Sequence, residues 1–439
     1  MLFFRSNAYL IIPPLIISYL FGGHLNSELY GFSGLLPQEL ILFITFFFTI
    51  FLSAIRNNKL FFFITWGDKV FFFFYITIYL IPWLFNLYDF LKDRDIFIVR
   101  QLLPIKIWIV YRIFYYIYTV SKNKLEILSK MFNITLITYV YGMVVSGIIG
   151  TLRLIYTAVI TEYINITWPF VSALQGNFTR MQGTVGGING GGILFAISAI
   201  FSLYLYTVER KTVFLYIFPI IMFFLLFTAS FSSVAIFLIM FIYLIYKSMY
   251  FKIEKILWVG VFSLFIGSFL LLNNQINTTL STTMENRLES QLGGNDDNIT
   301  PNSFKFRIGL WTQYAEYFAE KPFFGYGYKT NSANFIEKNH RNLISENYFV
   351  ETLLYGGVFS FFSFLWFYYY ISNKARNIYY FVEKRKIIIA ILLGIFISQI
   401  SNMTLMYGGI TELFGILIFF IQSFYFSKKL TINQLNSLE

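Results

Sequence analysis

Apolar runs of about eighteen residues or more recur along most of the chain, enough to cross a ~30 Å hydrocarbon core as helix. Spans are predicted at 8–21, 38–55, 69–87, 103–120, 131–150, 190–208, 212–230, 231–246, 256–272, 348–371, 387–405 and 409–426. The long run 212–246 is broken only by the small and polar residues Thr228 to Ser233, so it reads as a tight hairpin of two spans. Two stretches depart from this pattern. Residues 273–347 turn polar, with seven Lys/Arg and eight Asp/Glu. Residues 151–189 join two spans through a glycine-bearing connection that includes LQGNFTRMQGTVGG. Arg5 followed by an apolar run without a small-x-small site predicts an uncleaved first span.

Composition agrees with that pattern. The chain is 57% hydrophobic, 22% aromatic and 13% charged, where a soluble domain carries roughly 25% charged residues. An all-α polytopic membrane protein of about twelve transmembrane helices follows, as one membrane domain over 1–439 with an external helical loop. The absence of cysteine excludes disulfides, thiolate metal sites and Cys nucleophiles. Two histidines, His24 and His340, leave little for a His-based metal site.

The net charge of +11 sits mainly in alternate short loops. These hold Arg56 and Lys59; Lys122, Lys124 and Lys130; Arg210 and Lys211; Lys247, Lys252 and Lys255; Lys374, Arg376, Lys384, Arg385 and Lys386; and Lys428 and Lys429. The intervening loops 22–37, 228–233 and 402–411 have none, and in 88–95 three Asp outnumber Lys92 and Arg94. This is the positive-inside signature and not a nucleic-acid patch. Twelve spans put every basic loop on one face. Both termini are then cytoplasmic, and 273–347 and 151–189 are extracytoplasmic. Arg100, Lys106 and Arg112 fall in or beside an apolar run, where they are costly unless they snorkel or face a polar cavity.

Three clusters carry candidate chemistry. Arg180 stands three residues before Gly183, and a Gly-rich turn leads into a span that begins near Asn189. Glycines admit a close ligand, a helix N-terminus offers N–H groups to an anion, and the Arg fork suits a phosphate. The plain alternative is an interfacial Arg on lipid head groups, with the glycines serving helix packing. Arg307 opens a helical pattern in which Ile308, Trp311, Tyr314, Ala315 and Phe318 share a face, and Lys321-Pro322 stops it. An ordinary solvated Arg on an amphipathic helix is the alternative there. The third cluster is His340, Arg341, Glu346 and Glu351 at the start of the tenth span. Either carboxylate suits a general base at an aqueous entrance, or Glu346 caps a helix start. His340 reads equally as a loop residue. HExxH, Walker and GxSxG patterns are absent.

Taken in order, the clusters resemble the O-antigen polymerase and O-antigen ligase superfamily of lipid-linked glycan transferases. The residues that carry the resemblance are Arg180, Gly183 and Asn189; then Arg307, Trp311, Pro322, Gly325 and Gly327; then Glu346, Asn347, Val350, Glu351 and Gly357. They span about a quarter of the chain. Ile188 stands where Pro often precedes the Asn. Glu346 stands where ligases usually carry His, and His340 is six residues too early to replace it, so polymerase is favoured over ligase.

The resemblance implies a C-type glycosyltransferase architecture without metal or other cofactor. Such an enzyme acts on undecaprenyl-diphosphate-linked donor and acceptor glycans at the periplasmic face of the inner membrane, among membrane lipids and with a chain-length regulator as a candidate partner. On that reading Arg180 and Arg307 grip the donor diphosphate and Glu346 or His340 takes the acceptor proton. Arg287, Arg341, Asn189, Trp311, Gly325, Gly327, Asn347 and Glu351 would line the substrates. A transporter or flippase is the rival from another class, favoured by Arg100, Lys106 and Arg112 alone.

Overall fold

The computed structural model describes residues 8–22, 37–87, 102–121, 123–164, 188–228, 230–247, 304–327, 347–401 and 409–435. Among them all regular structure is helical. A 3-10 turn, Ala8–Ile11, leads into α1 (Ile12–Gly22), followed by α2 (Pro37–Ile55) and the short α3 (Lys59–Phe62). Next come α4 (Trp66–Phe74), a π-helical turn (Tyr75–Leu80) and α5 (Ile81–Phe85) in one continuous rod. The remaining helices are α6 (Leu102–Val120), α7 (Lys124–Ile164), α8 (Ile188–Thr207), α9 (Val213–Phe227), α10 (Phe231–Lys247), α11 (Phe304–Glu320), α12 (Tyr348–Arg376), α13 (Val382–Ser401) and α14 (Ile410–Leu435).

Among the described residues five segments are long and apolar enough to cross a membrane: Lys59–Phe85, Lys124–Leu152, Gly190–Thr207, Tyr348–Arg376 and Ile410–Ser427. Shorter apolar helices accompany them at Ala8–Phe21, Glu39–Ile55, Val213–Phe227 and Ser232–Lys247. The chain is thus a polytopic helical membrane protein. Each predicted span except 256–272, which lies outside the described residues, has its helix, and 212–246 divides into two as expected.

Burial follows from composition. In α8 and α14, predominantly apolar, residues Gly190–Leu205 and Gly409–Phe424 are buried throughout, with a few polar groups such as Glu412 and Gln422 among them, and form the middle of the bundle. Around α8 pack α7, α9, α10 and α13; α14 packs on α6 and α12. The outer surface instead shows Phe47, Phe51, Tyr216 and Ile242, each more than half exposed, as a lipid-facing surface should.

Two expectations are revised. The fifth span is part of a 41-residue helix. At 1.5 Å per residue α7 is about 62 Å long, twice the hydrocarbon core, so the segment expected as a connection from 151 begins as helix and continues so to Ile164. The tenth span is not straight. Helix runs from Tyr348 to Arg376, but within it Gly357 has φ 68° and ψ −172°, far from helical values. The rings of Tyr348 and Phe364 lie 5.0 Å apart and those of Phe349 and Phe361 6.1 Å. In a straight helix the first pair would be separated by about 24 Å. The helix therefore doubles back at Gly357. Its first leg, Tyr348–Gly356, lies beside its second, which alone is long enough to cross.

Two of the basic residues inside the bundle, Arg112 and Lys106, are paired with carboxylates. Asp68, fully buried, accepts from the Arg112 guanidinium at 2.8 Å and from the Trp108 indole at 2.8 Å. Its other oxygen accepts from the Thr65 amide at 2.7 Å and hydroxyl at 2.6 Å, closing a capping box at the start of α4. Arg112 also donates to the Phe61 carbonyl at 2.7 Å. Lys106 pairs with Glu39. These contacts favour a structural role for Lys106 and Arg112 over an ion pathway; Arg100 lies outside the described residues.

Candidate functional site

The corner at Gly357 is where the second and third motifs meet. Breaking a helix leaves the last carbonyls of one leg and the first amides of the next without partners. The turn that follows α11 supplies them. The amides of Tyr326 and Gly327 donate to the carbonyls of Leu354 (3.0 Å) and Tyr355 (2.8 Å). The amides of Val358 and Phe359 donate back to the carbonyls of Pro322 (2.8 Å) and Phe323 (3.3 Å). Four backbone bonds thus lock Pro322–Gly327 across the corner.

Glycine is required on both sides of this contact. Gly325 has φ 58°, and a Cβ there would come 2.5 Å from the Leu354 carbonyl oxygen. A Cβ on Gly357 would come 2.3 Å from the Phe323 carbonyl. Backbones this close exclude any side chain between them. The Pro-x-x-Gly-x-Gly pattern and the distant Gly357 are therefore two halves of one joint. Gly325 and Gly327, expected among the substrate-lining residues, are buried, and the atoms a Cβ on Gly325 would meet are the backbone of Leu354 and Tyr355.

Neighbouring side chains close the joint. Phe324 stacks on Phe85 at 3.8 Å and 4°. Tyr326 turns back on α11, donating to the Tyr317 carbonyl (3.0 Å) and lying 2.5 Å from a Glu320 carboxylate oxygen. Burial first, and then the Glu320 contact, push its phenol well above the ordinary tyrosine range. Beneath the corner, the Ser360 hydroxyl donates to the Thr77 carbonyl at 3.1 Å, in the π-helical turn. One residue was not legible in sequence. Asn86, at the end of α5, donates to the Gly325 carbonyl (3.1 Å) and the Pro82 carbonyl (2.8 Å), and its own oxygen accepts from Lys321 (3.1 Å).

The re-entrant leg begins at Asn347, whose side chain accepts from the amides of Phe349 (2.9 Å) and Val350 (3.2 Å) as N-cap. Glu346 was one candidate cap; Asn347 is the cap in the fold. Tyr348 is fully buried, its hydroxyl 3.1 Å from that of Tyr79. Glu351 is 3% exposed and lies in the first turn, where the helix dipole favours a carboxylate and offsets part of its desolvation.

Arg307 lies at the end of the first turn of α11, and α11 packs on α12. Of the face predicted for α11, Tyr314 is buried and Trp311 and Phe318 half-buried, whereas Ala315 is exposed and Tyr317 takes its place. Asn189 lies in the first turn of α8. Arg180, Arg287, His340, Arg341 and Glu346 lie outside the described residues.

A multi-pass helical membrane protein with a helix and turn locked into a broken helix is the class defined so far. The family model described as O-antigen ligase matches residues 213–365. That range runs from the start of α9 through the joint and so takes in the second and third motifs; Arg180 and Asn189 lie before it. The match supports the O-antigen polymerase and ligase superfamily, a family of glycosyl-transferring membrane enzymes, and fits polymerase and ligase alike. No curated protein matches the chain.

Proposed function

We propose that the protein polymerises undecaprenyl-diphosphate-linked oligosaccharide repeat units into a surface polysaccharide at the periplasmic face of the inner membrane. The observation that carries the reading is the joint itself. It ties the segment bearing Arg307 to the helix led by Asn347, within the range of the family match. In the mechanism, the acceptor hydroxyl oxygen attacks the anomeric carbon of the donor as its bond to the diphosphate breaks. The diphosphate leaves with the electron pair, and configuration inverts. Arg180 and Arg307 stabilise that charge, commonly a large catalytic term, without a metal. Glu346 or His340 accepts the hydroxyl proton. Arg287, Arg341, Asn189, Trp311 and Glu351 serve sugar or diphosphate binding, and a chain-length regulator acts as partner.

The test is Arg180→Lys and Arg307→Lys, which keep charge but lose the bidentate fork. Each is expected to abolish the polymer ladder on a glycan gel of cells making the protein at parental level. Normal ladders in both would sink the assignment. Ligase activity is the second reading, favoured by the description of the matched family. Lipopolysaccharide carrying a single repeat unit in the null mutant supports polymerase; loss of all capping supports ligase.

A further inference from the structure

We infer that Asn86 is a positioning residue for the transfer reaction, acting through the joint and resting on the function proposed above. Its place in the chain is unexpected. It lies at the end of α5, well outside residues 213–365, yet its amide spans three elements. One side chain bonds the last turn of α5 through Pro82, the turn through the Gly325 carbonyl, and the end of α11 through Lys321. It is 4% exposed, so these bonds are made away from solvent. Lys321 follows the last residue of α11 directly. A shift at Asn86 therefore moves the base of the helix that carries Arg307 relative to the re-entrant leg.

Position, unlike chemistry, can be restored by a different bond. Loss of the Asn86 side chain leaves the four backbone bonds of the joint and the Phe85–Phe324 stack, so the protein still folds, but it removes the hydrogen bonds that fix the turn and Lys321 against the end of the α4–α5 rod. The expected signature is a fall in kcat with KM for donor little changed, because ground-state binding is left in place while the geometry of transfer is not.

The experiment uses the full chain in lipid nanodiscs with a synthetic polyprenyl-diphosphate-linked repeat unit. Asn86→Ala is expected to lower kcat at least tenfold and move KM less than threefold. Because the parent has no cysteine, Phe85→Cys and Phe324→Cys can be added both to the parent and to Asn86→Ala, the parent pair measuring what loss of the Phe85–Phe324 stack costs alone, and joined with a short bis-methanethiosulfonate reagent. Cross-linking is expected to recover most of the lost kcat, and reductant to abolish the recovery. Parental kcat in Asn86→Ala, or a loss that cross-linking does not recover, overturns the inference. Arg307→Ala, run in parallel, separates the two levels. If it is inactive while Asn86→Ala matches the parent, only the positioning role fails. If it is fully active, the proposed site fails, and the inference with it.

Discussion

Replacing Gly357 by Ala tests the joint at its tightest point. The φ of 68° with ψ of −172° is a region essentially confined to glycine, and holding another residue there costs on the order of 1–3 kcal/mol. The added Cβ would also meet the Phe323 carbonyl at 2.3 Å, so the turn must retreat. Its four backbone bonds are worth about 1 kcal/mol each. Complete loss with the strain retained gives about 5–7 kcal/mol. Relaxation, in which α12 straightens, sheds the strain and regains two i→i+4 bonds, leaves a net loss of two bonds, about 2 kcal/mol, before any loss of packing. Straightening would in turn pull Tyr348 and Phe349 from Phe364. Either route consumes a sizeable share of the 5–15 kcal/mol available to a typical domain. Melting followed by tryptophan fluorescence in nanodiscs, with transfer measured on the same sample, is the assay. Gly191→Ala is the control, because nothing lies within 4 Å of its would-be Cβ. Gly357→Ala should melt well below that control and lack transfer. If the two variants melt alike and both are active, the joint does not hold the fold.

Two further outcomes follow from the buried charges. Arg112→Met should destabilise by about 3–5 kcal/mol, the usual effect of leaving a buried charge such as Asp68 unpaired, and Asp68→Asn with Arg112→Met should cost less than the two singles together; additive losses in a double-mutant cycle would contradict the pairing. Lys384 lies just before the apolar run of α13, bonded to Ser129 and ringed by Phe132, Phe381 and Phe424. Burial pushes its ammonium down to about 8, with Glu209 opposing. The unfolded lysine holds its proton up to about 10.4, so it binds more protons than the folded one between those values and stability should rise with pH across that window. A melting profile from about pH 7 to 10 should show that rise, and Lys384→Met should remove it.

Helix positions were largely legible because each span is a separate apolar run with polar ends. Arg307's helix was legible too, from its 3.6-residue pattern and Lys321-Pro322 stop, although Tyr317 and not Ala315 faces the bundle. The corner was not. A window from Tyr348 to Ile371 has the hydropathy of one crossing whether it is straight or doubled back, since hydropathy sums the residues and carries nothing of the chain's direction. The one local sign was Gly356-Gly357 in mid-run. The meaning of Gly325 was hidden for a related reason: a glycine that admits a ligand and one that admits another backbone look alike in sequence. Only the closeness of Leu354 and Phe323 in space separates them. Asn86 gave no signal, because a lone polar residue at the end of an apolar run is ordinary at a membrane surface.

The doubled-back helix changes depth and leaves sidedness unaltered. Were both legs of α12 to cross, the turn at 321–327 and the basic pair Lys374 and Arg376 would share a face. Instead the first leg returns along the second, and the turn is bound at the corner, at Leu354–Phe359. Lys374 and Arg376 lie at the far end of the second leg, about 28 Å away along a 19-residue helix, one hydrocarbon thickness. The turn and the basic residues are thus on opposite faces. The positive-inside rule would put that basic end in the cytoplasm, in keeping with the periplasmic orientation proposed for α11. The same geometry puts Asn347 at the foot of the first leg, about 13 Å from the corner and level with Phe364. The N-terminus of that leg, capped by Asn347 and carrying buried Glu351, therefore opens inside the bundle.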